Sequence, residues 1–321
     1  MVLTSFIAFL GCFVFVGLAS SQYARRSPRD YYLASQNISP IAAGLSAVAT
    51  NNSGYMFIGV IGYTYATGLA AIWLMFGWIA GDAVASFLIH RRVRDAAGAT
   101  QEVTYVSLLA GWFGGNFSWF RRIAALITIV FLGAYAAAQM DAGGKALHAI
   151  FGWPDDAGAI TVGLIVIAYC LAGGIRASIW TDVAQALVMV SAMILLLLAA
   201  INGLGGSAAA WQALSEIPDF MDLAPPEDHL ITGGSAGIVM FAIGWMFAGL
   251  SVAGQPHVMV RFMALKSVNN VPMARFVYYL FFVVFYSCAT GVGLLSRIYL
   301  PELENLDPEL ALPTMAGLLM S

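Results

Sequence analysis

The sequence predicts an all-α polytopic membrane protein. Of its 321 residues, 60% are hydrophobic and only 10% are charged, and the mean hydropathy is +0.83. Soluble domains carry roughly 25% charged residues. The apolar residues form runs long enough to cross a bilayer as helices of about 20 residues. Two of these runs are interrupted by small and polar residues, which points to a cavity within the membrane.

Eight apolar runs have the length of a membrane span. They cover residues 2–21, 41–69, 71–90, 121–150, 157–175, 178–202, 233–256 and 275–299, and a ninth begins near Leu310 and is cut off at Ser321. The first run has no basic segment before it, and arginines follow it, so we expect a retained first span rather than a cleaved signal peptide.

The distribution of basic residues predicts the orientation. Of the 14 Lys and Arg residues, all but Lys145 and Arg297 fall on one set of alternate loops. Because basic residues concentrate on the cytoplasmic side, this pattern places the N-terminus outside the cell membrane. Acidic residues, including Glu302 and Glu304, fall on the opposite loops.

The loops indicate a single transmembrane domain, residues 1–321. Most are short. Residues 91–120 are rich in Gly and aromatic residues and are predicted to be an interfacial cytoplasmic segment, whereas residues 203–232 form an acidic external loop. No sequence pattern of a metal-dependent or phosphate-binding enzyme is present, and none indicates a nucleic-acid partner. We therefore expect a non-enzymatic protein whose surroundings are the lipid bilayer.

Two interrupted runs are the most informative feature. In the first, Ala49-Thr50-Asn51-Asn52-Ser53-Gly54-Tyr55 lies within the span 41–69, and in the second, Gly244, Gly249, Ser251 and Gly254-Gln255-Pro256 interrupt the span that begins near Ile238. Irregular backbone is tolerated at this depth only where it is buried or lines a cavity. Paired broken helices are typical of secondary transporters, which hold solute and ion between them.

Several stretches resemble the sodium:solute symporter family, most closely its sodium/proline group. They are Asp30-Tyr31-Tyr32-Leu33-Ala34, Leu45-Ser46-Ala47-Val48-Ala49 with Ser53-Gly54, Gly173-Gly174, Trp180-Thr181-Asp182-Val183-Ala184-Gln185, Gly254-Gln255-Pro256-His257 and Arg261-Phe262-Met263-Ala264. They occur in the family's order and spacing, and the resemblance covers nearly the whole chain.

The resemblance implies a LeuT-like core of two inverted five-helix repeats, preceded by one extra N-terminal helix. The first repeat would run from about residue 41 to 202, and the second would begin near 233 and be incomplete, or truncated, at Ser321. The Ser/Thr pair that completes the family's main sodium site would lie beyond this residue. The two interrupted runs would then be the first helices of the two repeats.

Sodium is the expected coupling ion. The resemblance implies that the backbone carbonyls of Ala49 and Asn52 bind it, because a broken helix releases carbonyls that an intact helix would commit to hydrogen bonds. The alternative is that Asn51, Asn52 and Ser53 hydrogen-bond neighbouring helices without binding an ion. Asp182 is a candidate ligand of a second sodium, or else it caps its helix or pairs with Arg176.

The expected solute contacts come from the same break. Ser53, Gly54 and Tyr55 would offer free N–H groups at the positive end of the second half-helix, which suits a carboxylate. Tyr135 matches a family tyrosine that faces the solute, although a lone Tyr in a span is as readily a packing residue.

The second broken helix departs from the proline group. The family's pocket tryptophan and tyrosine correspond to Ala248 and Val252, and Trp245 could replace the tryptophan only if the alignment shifts by three residues. Asn51 and Asn52 replace the group's Asp and Met. We expect His257 and Arg261 to be interfacial anchors and inner-gate partners.

The predicted function is therefore sodium-coupled symport of a small organic solute, with an amino acid or another small carboxylated solute of the proline type as the expected cargo. The main alternative is that the chain is the input domain of a membrane sensor kinase, whose kinase module would follow Ser321. A passive channel agrees less well with paired broken helices, which suit alternating access.

Overall fold

The computed structural model describes residues 2–23, 25, 27–115, 117–301 and 306–320, and all named elements in these residues are helices. The charge pattern that predicts the orientation includes Arg26, Glu302 and Glu304. These three residues lie outside the described residues. The α-helices are α1 (Val2–Ser20), α2 (Pro28–Leu33), α3 (Pro40–Asn52), α4 (Gly59–Thr67), α5 (Ile72–Ala99), α6 (Tyr105–Gly111), α7 (Ser118–Phe151), α8 (Asp155–Gly203), α9 (Ser207–Ser215), α10 (Gly234–Leu250), α11 (Pro256–Met263), α12 (Val271–Tyr299) and α13 (Ala311–Met320). The predicted all-α class is confirmed.

Within the described residues, six helical segments are long and apolar enough to cross a membrane, and six of the eight predicted runs match them. The run 41–69 has no single counterpart because α3 and α4 are short halves of one interrupted helix. The run 157–175 contains only a shorter apolar stretch, Asp156–Ile167. Among the six segments, the one containing α12 is the most deeply buried and the one containing α7 is the least buried.

The predicted boundary between the runs 157–175 and 178–202 coincides with Gly174. The two runs are the first and second parts of α8, which meet at a non-helical kink at Gly174 (φ 57°, ψ −146°). A positive φ is accessible to Gly at little cost. The backbone oxygen of Tyr31 also occupies the place where a Cβ atom of residue 174 would lie. Gly174 therefore separates the two helical parts of α8 with almost no loop between them.

The predicted interfacial segment 91–120 is partly helical. Its first residues extend α5 to Ala99, where Arg94 is buried and donates to the carbonyls of Leu265 and Lys266. The rest contains α6 and exposed aromatic rings, of which Phe113 is 89% exposed. Helix α5 extends beyond the predicted span because Arg94 forms hydrogen bonds with the chain that follows α11. Hydropathy does not reveal such a contact.

Close packing of α5 and α10 depends on glycine. Cβ atoms at Gly77, Gly81 and Gly249 would collide with backbone oxygens of the facing helix. Small residues spaced four apart, as Gly77 and Gly81 are, let helix backbones approach closely in membranes. This seam fixes α5, which carries a buried carboxylate, against the second broken helix.

A short segment at residues 28–38, the latch segment, connects elements at the cytoplasmic side predicted from the charges. Asp30 pairs with Arg176 at 2.8 Å, and both side chains are at most 10% exposed. The side-chain amide of Gln36 donates to the carbonyls of Ala97 and Met263, and Ile38 pairs with Leu265 in an isolated backbone bridge. The latch segment thus joins α5, α8 and α11.

Candidate functional site

The first interrupted helix breaks at Ser53. Pro40 opens α3 behind the N-cap Ser39, and the helix ends at Asn52 because Ser53 adopts φ 50° and ψ −169°. A single 3₁₀ turn, Gly54–Met56, follows before α4 begins at Gly59. A positive φ at a non-Gly residue is uncommon and often marks a functional site. The predicted first break is confirmed.

The break changes the partners of several backbone groups. The carbonyl of Ala49 still accepts from the N–H of Ser53 at 3.2 Å. The N–H of Tyr55, which a continuous helix would direct to the carbonyl of Asn51, instead donates to the Ser53 hydroxyl at 3.2 Å. The Ala49 carbonyl therefore keeps its helix bond, whereas the Asn51 carbonyl loses the one that Tyr55 would donate, so the last turn of α3 is only partly released.

Two side chains of α7 form hydrogen bonds with backbone groups at this break. The Tyr135 hydroxyl donates to the carbonyl of Thr50 at 3.1 Å, and the side-chain oxygen of Gln139 accepts from the N–H of Gly54 at 2.7 Å. The sequence predicted free N–H groups at Gly54 and Tyr55. In the structure both donate hydrogen bonds, Gly54 to Gln139 and Tyr55 to Ser53. Sequence reasoning missed Gln139, although it lies four residues after Tyr135 and so on the same helix face.

An open cavity of about 910 Å³ adjoins the break. It lies among the break, α7, α8 and α13, and its lining includes Gly54, Phe57, Gln139, Ser191 and Glu309. Most of the lining is apolar, with a few polar groups near Gly54. This composition is typical of small-molecule sites.

Two predicted solute-contact residues lie away from this cavity. Ala248 lines a separate cavity with His229 and Trp245, and Val252 is buried in the core with 1% exposure. Trp245 approaches the first break through an aromatic stack: its ring packs on Trp78 and the Trp78 ring packs on Tyr55, each at 5.8 Å between centroids. The structure therefore connects Trp245, rather than Ala248, to Tyr55.

The second predicted break is also confirmed. Helix α10 ends at Leu250, a 3₁₀ turn covers Ser251–Gly254, and Gln255 is extended (φ −98°, ψ 100°) before Pro256 opens α11. Proline has no N–H to donate and disfavours a helical residue before it, so the helix interrupts at this point.

A buried polar cluster joins the two broken helices. Arg261 of α11 pairs with Asp182 of α8 at 3.0 Å, and the exposed fractions of these side chains are 7% and 18%. Ser46 of α3 donates to the Asp182 carboxylate at 2.6 Å and accepts from the Arg261 guanidinium at 3.0 Å. Asp182 thus pairs with Arg261, whereas Arg176, its expected partner, pairs with Asp30.

His257 faces the interior instead of anchoring at the interface. Its ring packs against that of Tyr135 at 5.3 Å between centroids. Both ring nitrogens are buried without a hydrogen-bond partner among the described residues. The expected role of Arg261 at the inner gate stays a prediction, whereas His257 lies beside Tyr135 and hence next to the first break.

Elsewhere on α7, Lys145 pairs with Asp141 at 3.5 Å, as their i, i+4 spacing predicts, and also with Glu309 at 2.8 Å. Glu309 lies just before α13 and lines the cavity beside Gly54. This second contact ties α7 to the chain that enters α13.

Comparison with known proteins agrees with this architecture. Residues 31–314 match the model of the sodium:solute symporter family. An osmoregulated proline transporter of Bacillus subtilis (strain 168) is 31% identical over 247 residues, which cover 77% of this chain and 48% of the relative. A sodium/proline symporter 2 of Staphylococcus saprophyticus is 28% identical over 318 residues, or 98% of this chain and 60% of the relative. The chain thus spans about half of the length of these relatives.

A solved structure of a Na⁺-coupled sialic acid symporter in a substrate-bound outward-open state has the same fold. The TM-score is 0.81 at 18% sequence identity, and the match covers 98% of this chain and 66% of that chain. The predicted LeuT-like fold is confirmed for the part present here. The architecture and the family match lead to one conclusion: this multi-pass membrane chain belongs to the sodium:solute symporter family.

Proposed function

We propose that this chain carries the first ion and solute contacts of a sodium-coupled symporter for a small carboxylated solute. The observation that carries the proposal is the break at Ser53, where a membrane-embedded helix releases backbone groups beside a cavity. Support comes from the family and from relatives described as proline transporters. A transport role, rather than an enzymatic one, follows from the same relatives.

Sodium is proposed to bind the carbonyls of Ala49 and Asn52. Hard cations prefer several oxygen ligands, and the last turn of a helix can supply carbonyls for them. The Ala49 carbonyl would bind the ion in place of, or beside, the N–H of Ser53 from which it accepts in this structure. Each sodium that enters down the membrane potential supplies about 2.3 kcal/mol per 100 mV, which is enough to drive uptake of a solute against its gradient.

The solute carboxylate is proposed to bind Ser53, Gly54 and Tyr55, with Tyr135 closing the site. Because Gln139 accepts from the Gly54 N–H in this structure, the carboxylate would have to displace the Gln139 side chain. A charged acceptor forms a stronger bond to N–H than a neutral amide oxygen does. The exchange is therefore favourable when the carboxylate is otherwise well placed.

Ala248 and Val252 are proposed as solute contacts on the resemblance alone. Val252 is buried in the core and Ala248 faces another cavity, so both would need α10 and its 3₁₀ turn to move toward the first break. A second sodium at Asp182 would likewise require Arg261 to give up its ion pair. We propose that such a sodium competes with the guanidinium for the same carboxylate.

The proposed setting is the cell membrane, with the N-terminus outside, the protein in contact with the lipid bilayer and no nucleic-acid partner. We propose that residues 1–321 belong to one transmembrane domain, with a first repeat at about 41–202 and a second that begins near 233. The charge pattern and the positions of the two breaks support this arrangement. The named relatives are transporters, which favours transport over a sensor input domain.

The test is solute binding by the purified chain in lipid nanodiscs, with radiolabelled L-proline and a panel of other small carboxylated solutes, in sodium and in choline buffers. We expect sodium-dependent binding of at least one solute, and weaker binding in Ser53→Ala and Tyr55→Phe. Ser215→Ala is the matched control, because its hydroxyl bonds only within the exposed helix α9. Binding that is equal in the two buffers, or unchanged in both site variants, would refute the proposal.

A further inference from the structure

Asp82 is a buried carboxylate in the middle of the membrane-spanning helix α5. Asp82 is 0% exposed, and no cationic side chain among the described residues forms an ion pair with its carboxylate. A charged side chain inside a membrane is costly, and such residues commonly mark ion or proton pathways. Neither the sodium site nor the solute site proposed above uses Asp82.

Three neutral groups donate to this carboxylate. The amide of Asn51 and the hydroxyl of Tyr278 reach one oxygen at 3.0 and 2.7 Å, and the hydroxyl of Tyr279 reaches the other at 2.6 Å. The Asn51 amide also lies 2.6 Å from the Tyr278 hydroxyl. These donors come from α3 and α12, so Asp82 connects the first broken helix to a helix more than 200 residues later in the chain.

The surroundings favour neither protonation state absolutely. Burial without a counter-ion favours the neutral acid, whereas three hydrogen bonds donated to the carboxylate favour the anion. Both tyrosine hydroxyls can rotate to accept instead of donate, so the cluster can solvate the neutral acid as well. A group with two such balanced states can take up and release a proton.

The same geometry is unsuited to a metal cation. A hard cation needs oxygen lone pairs directed at it, but the groups around Asp82 direct N–H and O–H hydrogens at the carboxylate. Close packing also leaves little room, since Asp82 and Tyr278 are both 0% exposed. A proton requires no cavity.

Charged and titratable groups near Asp82 are few. On α12, Tyr286 is buried and interacts electrostatically with Asp82, and Arg275 lies one turn before Tyr279 and donates to Ser86. On α5, His90 shares the Ser86 hydroxyl. Helix α10 and its 3₁₀ turn, residues 234–254, contain no titratable side chain. On α11, Arg261 is committed to Asp182, and His257 lies against Tyr135.

We propose that Asp82 is a proton-binding site coupled to the first helix break through Asn51. On protonation an O–H bond forms on the carboxylate, the proton comes from water, and no other covalent bond changes. The neutral acid is a weaker acceptor for the Asn51 amide, so the last turn of α3 loosens next to Ala49 and Asn52. Protonation also removes a negative charge near these carbonyls, so both effects weaken sodium binding.

Proton binding can be measured without transport. Infrared difference spectra of the chain in lipid, recorded between alkaline and acidic buffer, should show a carboxylic acid C=O band of a buried group. We expect Asp82→Asn to remove this band and Asp141→Asn to retain it, because Asp141 is 68% exposed and lies in neither site. Persistence of the band in Asp82→Asn, or its absence in the unmodified chain, would overturn the proposal.

A second variant covers the case in which Asp82→Asn does not fold. Tyr279→Phe removes one donor that stabilises the anion, so the midpoint of the infrared band should move to higher pH. A midpoint that stays in place or moves to lower pH in this variant contradicts the proposal.

The coupling to sodium rests on the proposed function and is measured separately. Sodium affinity should fall about fivefold or more on acidification, within the usual range of coupling between two sites. Asp82→Asn should hold the low affinity at every pH. Retained pH dependence in Asp82→Asn would refute the coupling, whereas a lack of any sodium binding by a chain that still shows the infrared band would refute the proposed function instead.

Discussion

At the scale of single residues, the ion pair of Arg261 and Asp182 carries the strongest stability prediction. Both side chains are largely buried, so removing one partner leaves the other without compensation, at a cost of about 3–5 kcal/mol. We expect Arg261→Gln to lower the thermal unfolding midpoint in detergent strongly. The double variant Arg261→Gln with Asp182→Asn should recover much of the loss, because neither charge is then left unpaired.

The control is a double-mutant cycle, since it isolates the pair from the other contacts of each residue. The two single losses would simply add if Arg261 and Asp182 did not stabilise each other. Additive losses would therefore contradict the pairing.

Asp30 gives a prediction with a pH window. Burial alone would raise the pKa of Asp30, but hydrogen bonds from Ser35, the Arg25 amide and Arg176, together with the Arg176 charge, outweigh it and lower the pKa below the ordinary 3.8. Because the pKa of Asp30 is lower in the folded protein than in the unfolded chain, its ionised carboxylate stabilises the folded state above pH 3.8. This stability is lost as the pH falls through the pKa of Asp30 in the folded state.

We therefore expect Asp30→Asn to destabilise the protein equally at pH 6 and pH 8, and the difference from the unmodified chain to shrink only below about pH 4. Chemical denaturation across this range provides the measurement. A difference that already disappears between pH 5 and pH 6 would show that the pKa is not lowered.

At the scale of helices, the seam between α5 and α10 predicts sharply different effects of two similar substitutions. Gly249→Ala would place a methyl group against the Trp78 carbonyl, and overpacking of this kind typically costs about 1–3 kcal/mol. Gly244→Ala on the same helix meets no atom within 4 Å and should be neutral or slightly stabilising. Thermal unfolding of the two variants side by side tests the seam, and equal midpoints would mean that the two helices do not pack through Gly249.

The two interruptions have different local causes. The second contains Pro256, whose effect on a helix is readable from the sequence. The first has no proline, and Ser53 departs from helical geometry where α7 supplies Tyr135 and Gln139 to the freed backbone groups. The first break therefore depends more on its neighbours, as expected of a segment that rearranges if it binds the proposed ion and solute.

At the scale of the whole molecule, the sequence predicted what depends on local composition. Apolar runs identify the spans, and polar residues within them identify both breaks. It did not predict the pairing of Arg261 with Asp182, which are 79 residues apart, or of Gln139 with the Gly54 N–H, 85 residues apart. Such partners depend on how distant helices pack. The boundary at Gly174 was predicted from the local sequence, but the approach of the Tyr31 carbonyl to this glycine was not, because it depends on a distant segment.

Orientation in the membrane is the prediction that involves the whole chain. Basic residues on one set of loops place residues 203–232 outside the cell and the chain between α11 and α12 in the cytoplasm. With Cys12, Cys170 and Cys288 replaced, we expect Ser207→Cys to react with a membrane-impermeant maleimide in intact cells, and Asn269→Cys to react only after permeabilisation. Both positions are exposed, so accessibility within the fold does not bias the comparison. The reverse labelling pattern would place the N-terminus in the cytoplasm and would exchange the side from which sodium reaches the break at Ser53.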